Sequence, residues 1–394
     1  MFIRHHYQQL QKRMEEPRHF IEVVVGPRQV GKTTLVKQVL NSTKMGYHHV
    51  AADNVPTNQT NWISEVWNTA RSKMRASGAN EYLLVIDEIQ KIPNWSEVVK
   101  KEWDDDTFND VNIKVILLGS SRVLLEKGLA DSLAGRFEEI RMSHWSWPEM
   151  RDSFGMTLEE YIYYGGYPGA APLISDTDRW SQYIESAIVD ATINKDILQN
   201  HVVTKPALLR QTFELGSSFS SQELSVTKIM GQMQDAGNTT TISSYLQLLS
   251  DAGLLTGLQK FANDKARKRA STPKFQVHNS ALKNYLSPLS LENALIQPKQ
   301  WGRFYESAIG AHLVSKAFEN RFDLFYWRQG NDEVDYVIQK RDCLMAIEVK
   351  SNHEKTTTGL QVFKEKFSPK VSLIIGPEGI GVEEFLSHDP IDYL

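Results

Sequence analysis

The sequence predicts an α/β fold built on a parallel sheet, and three observations point to it. Five short apolar runs, Phe20–Val25, Tyr47–Ala51, Tyr82–Ile86, Ile113–Leu118 and Phe137–Met142, recur through the first part of the chain. Longer mixed stretches suited to helices, such as Gln59–Ala76 and Trp95–Trp103, lie between them, and strand alternating with helix is the pattern of a covered parallel sheet. The third observation is Gly26-Pro27-Arg28-Gln29-Val30-Gly31-Lys32-Thr33, placed between the first run and the helix-like Leu35–Leu40.

Taken in order, the first strand leads into that loop, which reads G-x-x-x-x-G-K-[ST] in its strand–loop–helix setting. Its glycines let the backbone of residues 26–34, Thr34 included, wrap a phosphate chain so that successive N–H groups point at its oxygens. Lys32 would reach the β- and γ-phosphates, and the Thr33 hydroxyl would complete a Mg²⁺ shell. In Leu83-Leu84-Val85-Ile86-Asp87-Glu88, a buried strand ends in two carboxylates. Asp87 would hold Mg²⁺ and Glu88 would orient the attacking water; an acidic strand end facing solvent is the bland alternative. A phosphotransferase would not need the adjacent Glu88, which favours hydrolysis.

The strand Val115–Leu118 runs into Gly119-Ser120-Ser121. Ser121, or Ser120, would sense the γ-phosphate; serine is equally suited to a helix N-cap. Arg136, in Leu133-Ala134-Gly135-Arg136-Phe137, precedes the last strand. There it would be offered as a finger to the γ-phosphate of a neighbouring subunit, or else pair with Glu138 or Glu139 on the surface.

Composition sets bounds. The chain of 394 residues is 41% hydrophobic and 23% charged, enough for two or three globular domains. A net charge of −4 argues against coating nucleic acid with the whole surface, so any such contact must come from a local patch. The one cysteine, Cys343, excludes a disulfide framework and a cysteine-based zinc site within one chain, and fits a reducing cytoplasm. No apolar run is long enough for a bilayer, and the start lacks the apolar core of a signal peptide, so a cytoplasmic protein without membrane contact is expected.

In this order Gly26–Thr34, Ile86-Asp87-Glu88-Ile89-Gln90, Leu118-Gly119-Ser120-Ser121, Leu133-Ala134-Gly135-Arg136 and Gly165-Gly166-Tyr167-Pro168 resemble the prokaryotic AAA+ ATPases that carry a C-terminal domain of unknown function. The resemblance covers almost the whole chain. It implies ATP as the nucleotide, an AAA+ core over residues 1–145 and a small helical lid over 146–204. A lid arginine near Gly165–Ala171, which would assist closure and tight ring formation, is missing from the pattern.

From Lys205 the pattern changes. Ala207–Leu215 reads as a helix, Ser220 and Ser221 as caps of a second helix reaching Ile229, and Thr240–Ala252 as a third, capped by Asn238 or Thr239. Leu254–Phe261 and Lys274–Val277 follow as a two-stranded wing, so residues 205–285 predict a winged helix-turn-helix. The basic run Lys265–Arg269 at the wing tip would contact nucleic-acid phosphates; a solvated loop or a protein-binding module is the alternative.

In the last segment, 286–394, Glu333–Gln339 and Leu344–Lys350 form a hairpin pattern centred between Arg341 and Asp342. A symmetric hairpin puts Asp335 opposite Glu348, with Lys350 on the same face. This D…E-x-K set resembles the PD-(D/E)XK nuclease fold, in which the carboxylates hold Mg²⁺ or Mn²⁺ and the lysine orients or stabilises. By that resemblance Glu306, on the apolar-periodic helix Phe304–Phe318, is the fourth member. The alternatives are an exposed cross-strand ion pair, or a nuclease fold kept for binding. The expectation is therefore an oligomeric, nucleic-acid-associated ATPase with a possible metal-dependent C-terminal site, against a nucleotide-gated switch that binds a protein partner.

Overall fold

The computed structural model of the protein describes residues 2–53, 55–56, 59, 61–119, 132–231, 238–262, 272–351 and 358–394. They fall into two compact units, Met1–Met142 and Ser143–Leu394. Among the described residues no helix is long and apolar enough to cross a membrane.

The N-terminal unit runs α1 (His6–Glu15), β1 (Ile21–Val25), α2 (Lys32–Ser42), β2 (Gly46–Ala51), α3 (Trp62–Ser77), β3 (Tyr82–Asp87), α4 (Trp95–Phe108), β4 (Ile113–Gly119) and β5 (Phe137–Arg141). The strands form one sheet in the order β2-β3-β4-β1-β5, every pair parallel. All five expected strands form, each end within one residue of its expected place. Strands β1, β3 and β4 are buried along their whole length, which is why they read as unbroken apolar runs. Three charged residues break that rule: Asp87 closes β3 at the phosphate-loop end, and α1 explains Glu22 and Lys114. Arg13 bonds the Glu22 carboxylate at 2.7 Å, and the Lys114 ammonium donates to the Met14 carbonyl at 2.6 Å.

The C-terminal unit begins with helices α5 (Trp147–Phe154), α6 (Leu158–Tyr164) and α7 (Thr177–Tyr183), the last continued by π-helical turns as far as Leu198. Capping boxes Ser146/Glu149 and Thr157/Glu160 open the first two. Next come α8 (Pro206–Ser218), α9 (Val226–Met230), α10 (Thr239–Asp251), β6 (Leu255–Lys260), β7 (Lys274–Val277), α11 (Ala281–Asn284) and α12 (Leu291–Leu295). The chain ends with α13 (Pro298–Asn320), β8 (Asp323–Gln329), β9 (Asp332–Lys340), β10 (Cys343–Val349), α14 (Thr358–Phe367), β11 (Val371–Ile375) and α15 (Val382–Ser387).

Asn238 caps α10, its Oδ1 accepting the Thr241 N–H at 2.8 Å. Ser220 and Ser221, expected as caps, are not. Ser225 caps α9, while Ser220 and Ser221 are buried, their hydroxyls bonded to Ser307 and Gln276.

The antiparallel pair β6–β7 does not stand apart as a wing. Strand β6 also pairs parallel with β8, through Gln259↔Phe325 and Lys260↔Tyr326. The result is one six-stranded sheet in the order β11-β10-β9-β8-β6-β7. A single apolar cluster runs from Trp147 to Leu386, with Tyr163 edge-on to Phe304 at 5.6 Å. The three segments expected as separate bodies, 146–204, 205–285 and 286–394, therefore share a core, and the last two also share a sheet.

Candidate functional site

The loop after β1 is shaped by its glycines. A β-carbon on Gly26 would lie 2.1 Å from the Met142 carbonyl oxygen, and Gly31 has φ +95. Gln29, at φ 64, shares the left-handed region. These turns aim the loop at the start of α2, whose first N–H groups have no partner within the helix, an arrangement that favours an anion. Lys32 opens the helix and folds back, its ammonium donating to the carbonyls of Gly26 and Pro27 at 2.8 Å each. The buried Arg4 donates to the Val30 carbonyl at 3.1 Å and braces the loop from beneath, a role that no motif in the sequence marks.

Asp87 ends β3 and reaches this helix. The Thr33 hydroxyl donates to its Oδ2 at 2.8 Å, and its Oδ1 accepts the Glu88 N–H at 2.9 Å. Glu88 sits at φ 53, a conformation uncommon for a residue with a side chain, and its carboxylate accepts from Gln90 at 2.6 Å. Gln90 thus orients Glu88; its place in Ile86-Asp87-Glu88-Ile89-Gln90 was the signal available. Between β1 and β3 lies the end of β4, where Gly119 pairs with Val25. Ser121 and Ser120 fall outside the described residues, as does the basic run Lys265–Arg269.

Arg136 lies at the other end of the sheet. Its carbonyl accepts the Ile21 N–H at 2.8 Å, at the start of β1, whereas the phosphate loop follows the end of β1. The guanidinium holds Asp104 through two bonds of 2.7 and 3.0 Å, not Glu138 or Glu139. Those two pair with Arg13 and Arg141.

In the C-terminal unit the hairpin register is the expected one. Ile347 faces Tyr336, so the next residues along are Glu348 and Asp335. Asp335 Oδ2 accepts the Val349 N–H at 2.8 Å, and the Lys350 ammonium pairs with Glu348 at 2.9 Å. The carboxylates are not open to solvent. The ammonium of Lys274, on β7, enters among them, 2.8 Å from Glu306, 3.2 Å from Asp335 and 3.7 Å from Glu333. Its side chain is 1% exposed. Burial opposes charge on Lys274, but the carboxylates of Glu306, Asp335 and Glu333 outweigh it and hold its pKa well above the ordinary lysine value. Burial pushes both Glu306 and Glu348 up to about 7, Asp335 adding to each and the paired lysines opposing.

The expected metal set of Glu306, Asp335 and Glu348 already has protein cations beside it. Among the described residues these three carboxylates do not gather to within 4.8 Å of one another. A protein cation lies among them, and Lys350 neutralises Glu348. With Lys274 in place the acids are taken up by an ammonium. Lys274 was read only as the first residue of a wing strand, because a lone lysine at a strand end gives no hint of a buried partner.

Around the phosphate loop the fit is different. Thr33 and Asp87 are already joined where a Mg²⁺ shell would form, and the Lys32 ammonium lies over the loop. Residues 18–151 match the family model described as an AAA domain, and residues 156–293 and 301–384 each match a domain of unknown function. The AAA-like segment thus spans most of the N-terminal unit and the phosphate loop, with two further matched segments after it. An uncharacterized protein of Methanocaldococcus jannaschii is 24% identical over 81% of this chain and 72% of its own length. An uncharacterized protein of Haemophilus influenzae is 22% identical over 84% of this chain and 82% of its own. Among solved structures, the RuvB Holliday junction branch migration motor of Thermotoga maritima aligns over 64% of this chain and 85% of its own, at 13% identity and a TM-score of 0.33.

Proposed function

We propose that the protein binds ATP at Gly26–Thr34 and hydrolyses it as an oligomer, and that its C-terminal unit binds nucleic acid without cutting it. The observation that carries the hydrolytic half is the Thr33–Asp87 hydrogen bond at 2.8 Å with Glu88 directly beside it. The Thr33 hydroxyl and the Asp87 carboxylate would hold Mg²⁺, which offsets phosphate charge when bound. Lys32 exchanges the Gly26 and Pro27 carbonyls for the β- and γ-phosphate oxygens. Glu88, kept in place by Gln90, orients the water that attacks the γ-phosphorus. Arg136 turns from Asp104 toward the γ-phosphate of the next subunit.

Support for nucleic-acid contact comes from three helices followed by an antiparallel strand pair, the order of a winged helix, with the basic run Lys265–Arg269 between the strands. The helix–strand–strand–strand–helix–strand order from α13 to β11 is that of a nuclease-type scaffold. Lys274 among its carboxylates favours a scaffold kept for binding.

The test is ATP turnover with and without DNA for wild type and Glu88→Gln. Wild type should turn over ATP faster with DNA. Glu88→Gln should still bind ATP while losing about 10²–10⁴-fold in turnover, the usual worth of a positioned base. No turnover in either condition would sink the proposal. Turnover indifferent to DNA would favour a nucleotide-gated switch acting on a protein partner.

A further inference from the structure

Lys274 comes from β7, outside the helix-and-strand order that brings the acids together. Four carboxylates on three elements lie near one another: Glu306 on α13, Glu333 and Asp335 on β9, Glu348 on β10. An ammonium taken out of water is held only where such groups replace its hydration. Lys274 has the Glu306, Asp335 and Glu333 carboxylates within 3.7 Å, the Asp335 carbonyl at 3.3 Å, and the Tyr336 ring 4.8 Å away. A small divalent ion draws its oxygens to about 2.0–2.1 Å, closer than the 2.8–3.7 Å at which these acids surround the ammonium, so ion and ammonium cannot share the set. Glu348 is 7% exposed, and its Oε2 has no hydrogen-bond partner.

We propose that Lys274 is the resident cation of a divalent-metal site formed by Glu306, Asp335 and Glu348: with the ammonium in place the site excludes the ion, and without it the site admits one. The inference deepens the reading above that the C-terminal unit does not cut. The oxygens that hold the ammonium are those a metal would need, and two cations a bond length apart repel. Strand β7 thereby both neutralises the acids and closes the cluster, and Lys350 remains with Glu348.

The test is Mn²⁺ binding to the full-length, nucleotide-free protein, followed by electron paramagnetic resonance. Wild type, Lys274→Met, Lys274→Gln, Glu348→Gln and the Lys274→Met/Glu348→Gln pair are compared. Each Lys274 variant should take up one more Mn²⁺ per chain than wild type, at least about tenfold more tightly than any ion wild type holds there, and the gain should vanish in the double variant. The proposal is overturned if folded Lys274 variants take up no more Mn²⁺ than wild type. It is equally overturned if wild type binds an ion that Glu348→Gln removes, an outcome that does not depend on how the Lys274 variants fold. ATP turnover is read separately through Glu88, so the hydrolytic reading and the metal exclusion can each fail alone.

Discussion

Gly26 leaves β1 at a place where even a methyl group would meet the Met142 carbonyl oxygen at 2.1 Å. Gly31 differs: a β-carbon there meets nothing within 4 Å, and the demand is its φ of +95. Gly26→Ala must push the loop away from the end of β5. We expect it to cost about 1–3 kcal/mol, the usual range for overpacking, and to weaken ATP binding by at least about tenfold. A thermal melt and a fluorescent-nucleotide titration check both, and unchanged nucleotide affinity would show that the loop tolerates the shift. Glu88 belongs at the same scale. Its left-handed backbone is held by its N–H bond to Asp87, and such strain concentrates where a side chain must be aimed.

Helix α13 carries Glu306 in its third turn and His312 six residues further on, where the imidazole meets Phe385 edge-on. Burial pushes the His312 pKa down to about 3, the Lys316 charge adding to it and the His388 backbone and Glu319 opposing. In the unfolded chain the same side chain takes a proton below about pH 6.5. Between those values the unfolded state binds more protons, so this contribution is complete above about pH 6.5 and is lost as pH falls toward 3. The loss is about 1.4 kcal/mol per pH unit. Urea unfolding at three pH values from 6.5 to 4.5 should show a steeper acid loss in wild type than in His312→Asn by about that slope; parallel slopes would refute it.

At this scale the sequence was most legible where local pattern decides the outcome. The fully buried β1, β3 and β4 announce themselves as apolar runs, and Arg341, at φ 54 in a tight turn, fixes the register that brings Asp335 beside Glu348. Helix α1 was illegible, because only His6, Leu10 and Met14 are buried on it. So was Lys274, whose partners lie from Glu306 to Asp335 in the chain. The pairing of Gln259 with Phe325 was equally hidden, since no local pattern specifies a partner so far away.

For the oligomer proposed above, the position of Arg136 matters most. It precedes β5, whose far end pairs Arg141 with Val25 beside the phosphate loop. A strand of that length puts it about 16 Å from its own loop, at roughly 3.3 Å per residue. Its pair with Asp104 is part-exposed, 33% and 44%, and such pairs are worth only about 0–1 kcal/mol, so little holds it back from a neighbouring subunit. Lys32→Ala and Arg136→Ala should each be inactive alone, and mixing them should restore part of the ATP turnover. In a mixed assembly an intact loop meets an intact arginine. Absence of recovery from a demonstrated mixed oligomer would remove the finger role from Arg136.

The edge of β8 leads to a different kind of conclusion. Because β6 lies against it, with the Phe261 N–H donating to the Tyr326 carbonyl at 2.6 Å, the matched segments 156–293 and 301–384 exchange backbone hydrogen bonds. The line between them separates regions of likeness, not regions that fold. Lifting either one out would leave the main-chain groups along 259–261 and 325–326 without these partners and open a new sheet edge.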